Sequence, residues 1–293
     1  MVIIKLFGGL GNQMFQYGLY TRLKSQNREV LLDSQFIDDD DHNYHKSSIF
    51  RSFDISKNTD INFRDAKTSG DIGLLKKTLE KFQNDEISYY IQPIDWGFDE
   101  NILKMDNVYA DGYWQSERYF RDCEEQVRNA LRFRIDLVGD NKEICKRIEE
   151  AQYPVSIHVR EGDYNDPVNQ RVFGKICTDD YYNSAVRYFE ERHSECSFFV
   201  FSNDIKAARK RLGNRPAVYV DGNSEADGSI DMFLMSRCRG HIIANSSFSW
   251  WGAWINDRKD KEIVSPAVWS REGVCKDILL DSFIKIRSDG IRE

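Results

Sequence analysis

Val2-Ile3-Ile4-Lys5-Leu6-Phe7, Gly8-Gly9-Leu10-Gly11 and Glu29-Val30-Leu31-Leu32-Asp33 are the three stretches that decide the fold class. The first is a short apolar run with the length of a buried strand, and the glycines that follow form a tight loop. A helix is expected to begin near Asn12, because Phe15, Leu19 and Leu23 recur at four-residue spacing on one face. Residues 29–33 then read as a second strand. A strand, loop, helix and strand in that order make a crossover unit, so the two strands should run parallel.

Outward from this unit, residues 34–70 are polar and irregular, and include Asp38-Asp39-Asp40-Asp41-His42. Consecutive residues cannot all converge on one ion, so this run reads as a solvated loop rather than a cation site. A helix is expected over 72–82 and strands over 87–92 and 107–111. An amphipathic helix should run from Ser116 to about Phe133, capped by Ser116, with Phe120, Cys123, Val127, Ala130 and Leu131 inward. Residues 135–141 look like a boundary, which divides the chain into domains 1–140 and 141–293. The second half alternates strictly. Strands are expected at 154–160, 197–202, 217–221, 240–244 and 262–265, and helices at 178–193, 204–212, 229–238 and 247–256. That alternation predicts an open parallel sheet with helices on both faces, and hence two α/β halves with a cleft between them.

The composition excludes several classes. With 41% hydrophobic and 30% charged residues the chain is globular rather than disordered. Its net charge of −7 and the lack of a basic stripe oppose nucleic-acid binding. No apolar run reaches the length that spans a bilayer. The six cysteines match no zinc spacing and read as free thiols in a reducing compartment. A cytoplasmic location is expected, with at most peripheral membrane association.

In open parallel sheets, ligands bind beyond the carboxyl ends of the strands. Polar residues gather at that edge in the second half, at Ile157-His158-Val159-Arg160-Glu161-Gly162-Asp163, Phe201-Ser202-Asn203-Asp204, Val220-Asp221-Gly222 and Ala244-Asn245-Ser246-Ser247-Phe248. Arg160 suits two phosphate oxygens, its guanidinium being a permanently charged fork, while an ion pair with Asp163 is the structural alternative. His158 points to the same sheet face, either toward a nucleotide or as a satisfied core residue. Ser246 and Ser247 open a helix, where serines cap the end or present hydroxyls and amides to an anion. Phe248 stacks near the cleft or joins the core with Trp250, Trp251 and Trp254. Asp204 caps a helix or accepts two N–H bonds from a guanine edge. Asp231 is an equal candidate for a dipole partner at a helix start.

The loop Gly8-Gly9-Leu10-Gly11 partly matches a dinucleotide fingerprint, with Asp33 about 20 residues on. Met14 stands where a third small residue belongs, so the match is incomplete. The loop can still bring backbone N–H groups and the Asn12 amide to a charged ligand.

Gly8-Gly9-Leu10-Gly11-Asn12-Gln13-Met14-Phe15-Gln16-Tyr17 resembles the opening signature of the α-1,2-fucosyltransferase family, glycosyltransferase family 11, in its bacterial type. His158-Val159-Arg160-Glu161-Gly162-Asp163-Tyr164 resembles that family's H-x-R-R-x-D motif. Phe201–Asp204, Asp231–Ser236 and Ile243–Trp254 also match, in order along nearly the whole chain. The resemblance implies a GT-B-like α/β fold of two Rossmann-like domains facing each other across a cleft. It implies an acceptor-side domain at 1–140 and a GDP-fucose-binding domain at 141–293. It implies transfer of L-fucose from GDP-β-L-fucose to the 2-hydroxyl of a galactose-terminated glycan, with inversion and no divalent metal or other cofactor. Arg160 maps to the β-phosphate contact, His158 to the guanosine, Ser246 and Ser247 to the phosphates, Asp204 to the base, and Asn12 to the loop amide beside Gly11. Asn245 and Phe248 belong to the same matching segment. One departure is Glu161, where the family usually has arginine. Adjacent strand residues face opposite sides, so its carboxylate either points away from a diphosphate or serves in acceptor binding.

The expected chemistry places Arg160 and the amides near Ser246 and Ser247 on the departing diphosphate. Asp163 and Glu161 are the nearest carboxylates to serve as base, or Asp163 braces the Arg160 loop. Three rivals stand beside this reading: another linkage such as α-1,6, a binding protein without turnover, and a nicotinamide oxidoreductase. The products envisaged are O-antigen and other lipopolysaccharide glycans, capsules or free oligosaccharides.

Overall fold

The computed structural model describes residues 1–34, 36–37, 48–55, 87–161 and 167–293. The chain divides into two compact units, Met1–Arg134 and Ile135–Glu293. The expected helix over 72–82, the run Asp38–His42 and Asp163 lie outside the described residues.

In the first unit, β1 (Val2–Lys5) leads into α1 (Leu10–Ser25) and β2 (Val30–Asp33). A short helix α2 (Ile49–Ser52) precedes β3 (Ser88–Ile91) and β4 (Val108–Asp111). These strands form one sheet in the order β2-β1-β4-β3, and all three pairings are parallel. Phe15, Leu19 and Leu23 on α1 are fully buried, as their spacing predicts.

The helix expected from Ser116 to Phe133 is not continuous. The chain winds as 3-10 turns at Glu117–Tyr119 and Arg121–Cys123 before α3 (Glu124–Ala130). Phe120, Cys123, Val127, Ala130 and Leu131 are nevertheless all buried. Apolar spacing sets which side faces inward, but over two turns it does not distinguish 3-10 from α winding.

The second unit opens with α4 (Gly139–Glu150), a helix that the boundary reading of residues 135–141 did not anticipate. Then follow β5 (Tyr153–Val159), α5 (Pro167–Phe173), α6 (Asp179–Arg192), β6 (Cys196–Ser202), α7 (Ile205–Leu212) and β7 (Val218–Tyr219). The remainder is α8 (Gly228–Ser236), β8 (Gly240–Ile242), α9 (Ser247–Trp254), β9 (Glu262–Pro266) and β10 (Ile284–Ile286). The sheet order is β10-β9-β8-β5-β6-β7, with every pairing parallel. β5 lies in mid-sheet and is buried along its whole length. Val155, Ile157, Tyr181, Val186, Phe189 and Val200 pack one face of this sheet. Phe199, Phe201, Leu234 and Met235 pack the other with Ile144 and Ile148 of α4. Trp250, Trp251 and Trp254 are core residues, and all six cysteines are free thiols.

Candidate active site

The winding of the second sheet locates a crevice. From β5 the chain moves outward through β6 to β7, then returns to the other side of β5 with β8 and moves outward again through β9 to β10. The direction reverses between β5 and β8. Loops leaving two such strands diverge, and the gap at their carboxyl ends is where open α/β sheets hold ligands. At that edge β5 ends in His158 and Val159 and is followed by Arg160 and Glu161, and β8 is followed by Asn245, Ser246, Ser247 and Phe248.

His158 is 3% exposed, and its Nδ1 has no hydrogen-bond partner among the described residues. Its backbone carbonyl accepts a bond from the Tyr182 hydroxyl at 2.9 Å. Burial, and then the charge of Arg160, push its pKa down to about 3. The ring is therefore neutral at physiological pH, a hydrogen-bonding group rather than a cation. It lies 5.4 Å from the Phe248 ring, which joins the β5 side of the crevice to the β8 side. Arg160, the half-buried first residue past β5, follows two positions on.

Glu161 turns away from this pair. Its carboxylate meets Arg211 of α7 at 2.6 Å, and Arg211 also reaches Asp179 at 2.8 Å. The backbone of Glu161 is held by Asn203, whose amide accepts its N–H at 2.9 Å and donates to its carbonyl at 2.9 Å.

On the β8 side, Asn245 is buried and its Nδ2 donates to the Phe173 and Trp269 carbonyls at 3.0 and 3.1 Å. Its Oδ1 accepts from Cys177 Sγ at 3.4 Å. The side chain named from sequence among the donor contacts is engaged in bracing the crevice wall. Ser246 occupies the N-cap position of α9, yet its side chain makes no capping bond. The N–H groups of the first turn and the positive end of the helix dipole lie beside that hydroxyl, an arrangement suited to an anion.

Asp204 is exposed and caps α7, its Oδ1 accepting the Ala207 N–H at 3.0 Å. Beyond it, Asp231 in the first turn of α8 accepts from Asn223 Nδ2 at 2.6 Å. Burial is the main cause that pushes the Asp231 carboxyl up to about 6.

Gly11 and Asn12 belong to the first unit, in the first turn of α1. Asn12 Oδ1 accepts from Gln115 Nε2 at 2.7 Å. The loop before them is fastened by two glutamines that sequence reasoning passed over. Gln13 donates to the Gly8 carbonyl at 2.8 Å, and Gln16 accepts the Phe7 N–H at 3.0 Å. Both are fully buried, and Gly8 takes a φ of +76° that favours glycine. Their i, i+3 spacing behind a glycine loop was the available signal.

A cavity of about 420 Å³ opens at the opposite, amino edge of the second sheet, beside Tyr153, Arg192, His193, Arg239 and Glu262. Glu262 there accepts from Tyr153 at 2.8 Å, Tyr188 at 2.7 Å and Arg192 at 3.2 Å. A carboxylate so fully engaged ties elements together, and no switch point faces it.

The family model described as Glycosyl transferase family 11 matches residues 1–284. The O-antigen biosynthesis glycosyltransferase WbnK of Escherichia coli is 32% identical over 96% of this chain and 99% of its own length. An α-1,2-colitosyltransferase of Escherichia coli is also 32% identical, over 92% of each chain. Among solved structures, the NodZ α-1,6-fucosyltransferase soaked with GDP-fucose superposes with a TM-score of 0.51 at 14% identity, covering 94% of this chain and 96% of that one. The two parallel α/β units therefore have a GT-B-like fold. No helix among the described residues is long and apolar enough to cross a membrane.

Proposed function

The chain belongs to glycosyl transferase family 11, and from that premise we propose that it moves L-fucose from GDP-β-L-fucose to the 2-hydroxyl of a terminal galactoside, with inversion. The observation that supports this reading is the β5/β8 switch point, where the His158 ring lies 5.4 Å from the Phe248 ring of α9 and Arg160 is the first residue past β5.

In this reaction the bond between the fucose anomeric carbon and the β-phosphate oxygen breaks, and its electron pair leaves with GDP. The acceptor oxygen bonds to that carbon from the opposite face, and its proton passes to solvent or a base. Arg160 takes the charge that develops on the β-phosphate, and the α9 amides with the Ser246 and Ser247 hydroxyls take the remaining oxygens. Neutral His158 hydrogen-bonds the guanosine portion through its unpartnered ring nitrogen. Asp204 meets the base. No divalent ion is needed, because Arg160 and the helix end supply the positive field. The free thiols support a reducing, cytoplasmic setting, and O-antigen assembly on its membrane face is the pathway favoured by the WbnK likeness.

Incubation with GDP-fucose and a panel of β-galactosides, with the product linkage read by NMR, tests the proposal. An α-1,2-fucosyl product supports it, and absence of transfer or another linkage overturns it. A second donor is favoured by the colitosyltransferase likeness. Colitose is fucose without its 3-hydroxyl, so parallel reactions with GDP-colitose separate the two sugars.

A further inference from the structure

In the first sheet β1, β4 and β3 lie side by side, in the order β2-β1-β4-β3. Three aromatic residues stand at their carboxyl ends, the edge at which parallel sheets hold ligands. Phe7 follows β1 and Tyr113 follows β4, with ring centroids 4.8 Å apart. Trp96, after β3, meets Tyr113 edge-on at 5.2 Å. All three are half-buried, and the row follows the strand order β1, β4, β3.

The row is built rather than incidental. Gln92 is 3% exposed, and its Oε1 accepts the N–H groups of both Tyr113 and Trp114 at 2.9 and 3.0 Å. Its Nε2 donates to the Gly97 carbonyl at 3.1 Å. One buried amide thus fastens the Tyr113 loop to the Trp96 loop. Gly112 permits that approach, since a Cβ there would lie 2.6 Å from Gln92 Cβ. Trp96 itself has a φ of +47°, a left-handed conformation that bulky residues rarely adopt. Strain held by surrounding hydrogen bonds, on a ring left partly open at the carboxyl edge of a parallel sheet, indicates a ligand-facing task.

We propose that Phe7, Tyr113 and Trp96 form the platform on which the acceptor's pyranose ring stacks, with Trp96 as the specificity-determining residue. A galactose ring has one face of C–H groups and a rim of hydroxyls. Its weakly positive C–H face complements the negative face of an aromatic ring. The inference rests on the glycosyl-transfer reading only in naming this sugar the acceptor.

The test uses full-length protein labelled with 5-fluorotryptophan, the Trp96 signal being assigned by W96F, and titrates methyl β-galactoside and lactose with GDP present. The Trp96 fluorine signal is expected to shift saturably with either galactoside. W96G is expected to raise the acceptor KM by about fivefold or more, leaving GDP affinity unchanged. Glycine accepts the +47° φ, which offsets part of the packing lost with the ring, so the variant should remain folded. The fluorine shift is read without turnover, so it stands even if GDP-fucose proves the wrong donor. A Trp96 signal that ignores the sugars, or an acceptor KM for W96G within about twofold of the parent, overturns the platform. A signal that moves with protein concentration instead identifies a second copy of the chain as occupant and also overturns it.

Discussion

Asn203 holds Glu161 by both of its backbone groups, with the N–H accepted at 2.9 Å and the carbonyl bonded at 2.9 Å. An amide side chain thereby extends the β5/β6 ladder one step beyond the last true pair, Val159 with Ser202. Gln16 treats Phe7 in the same way past the end of β1, accepting its N–H at 3.0 Å and donating to its carbonyl at 3.3 Å. Each unit thus stiffens the strand exit from which its candidate ligand groups emerge.

Asn203→Ala removes both bonds and frees the residue that follows Arg160. A stability loss of about 1 kcal/mol is expected, with GDP affinity falling about fivefold. Asn203→Asp keeps an acceptor for the N–H and loses the donor, so it should fall between. Urea unfolding and GDP titration check both variants.

Glu161 and Arg211 form a half-buried pair at 2.6 Å. Restoring the arginine that the family usually carries, Glu161→Arg, sets two cations together and should cost about 2 kcal/mol. The exchange E161R with R211E should recover at least half of that loss. Thermal unfolding of the single and double variants measures the coupling.

Asp231 has a folded-state pKa raised to about 6 from 3.8. A raised carboxyl holds its proton longer when folded, so its contribution is full below about pH 4 and is lost as pH rises through 6. Asp231→Asn should therefore stabilise the protein by about 1–2 kcal/mol at neutral pH, discounted for partial exposure, and change little near pH 4. Its Oδ1 can still accept the Asn223 amide. Denaturant midpoints at the two pH values decide.

His241 shows the opposite sign. Its Nδ1 contacts Ser156 Oγ at 2.9 Å and its Nε2 contacts Asn256 Nδ2 at 2.9 Å. Burial and the Lys261 charge push its pKa down to about 3. The folded protein keeps the ring neutral, so stability present above about pH 6.5 is lost as pH falls toward 3. His241→Gln should flatten the acid limb by up to about 1.4 kcal/mol per pH unit, as read by urea unfolding between pH 7 and 5.

The sequence carried the parallel sheets clearly, because β1, β5 and β6 are apolar runs bounded by turn residues and followed by helical periodicity. It did not show α4, whose inward face is only Ile144, Cys145 and Ile148 behind a Gly-Asp-Asn start that reads as a linker. β10 is three residues long, and too short to register as a strand. In the site, residue type and strand-end position pointed to His158, Arg160 and Ser246. What Asn245 and Glu161 do was not legible, because Phe173, Trp269 and Arg211 are remote in sequence and only folding brings them near. The switch point was equally hidden, since it depends on strand order.

Comparative titration of GDP and GMP against the parent protein and Arg160→Ala tests the central claim, that the β5/β8 crevice grips a diphosphate through Arg160. The parent is expected to favour GDP over GMP by tenfold or more, roughly the value of a charge-assisted phosphate contact, and R160A to lose most of that preference while remaining folded. An R160A protein that still favours GDP to the same degree would contradict the account.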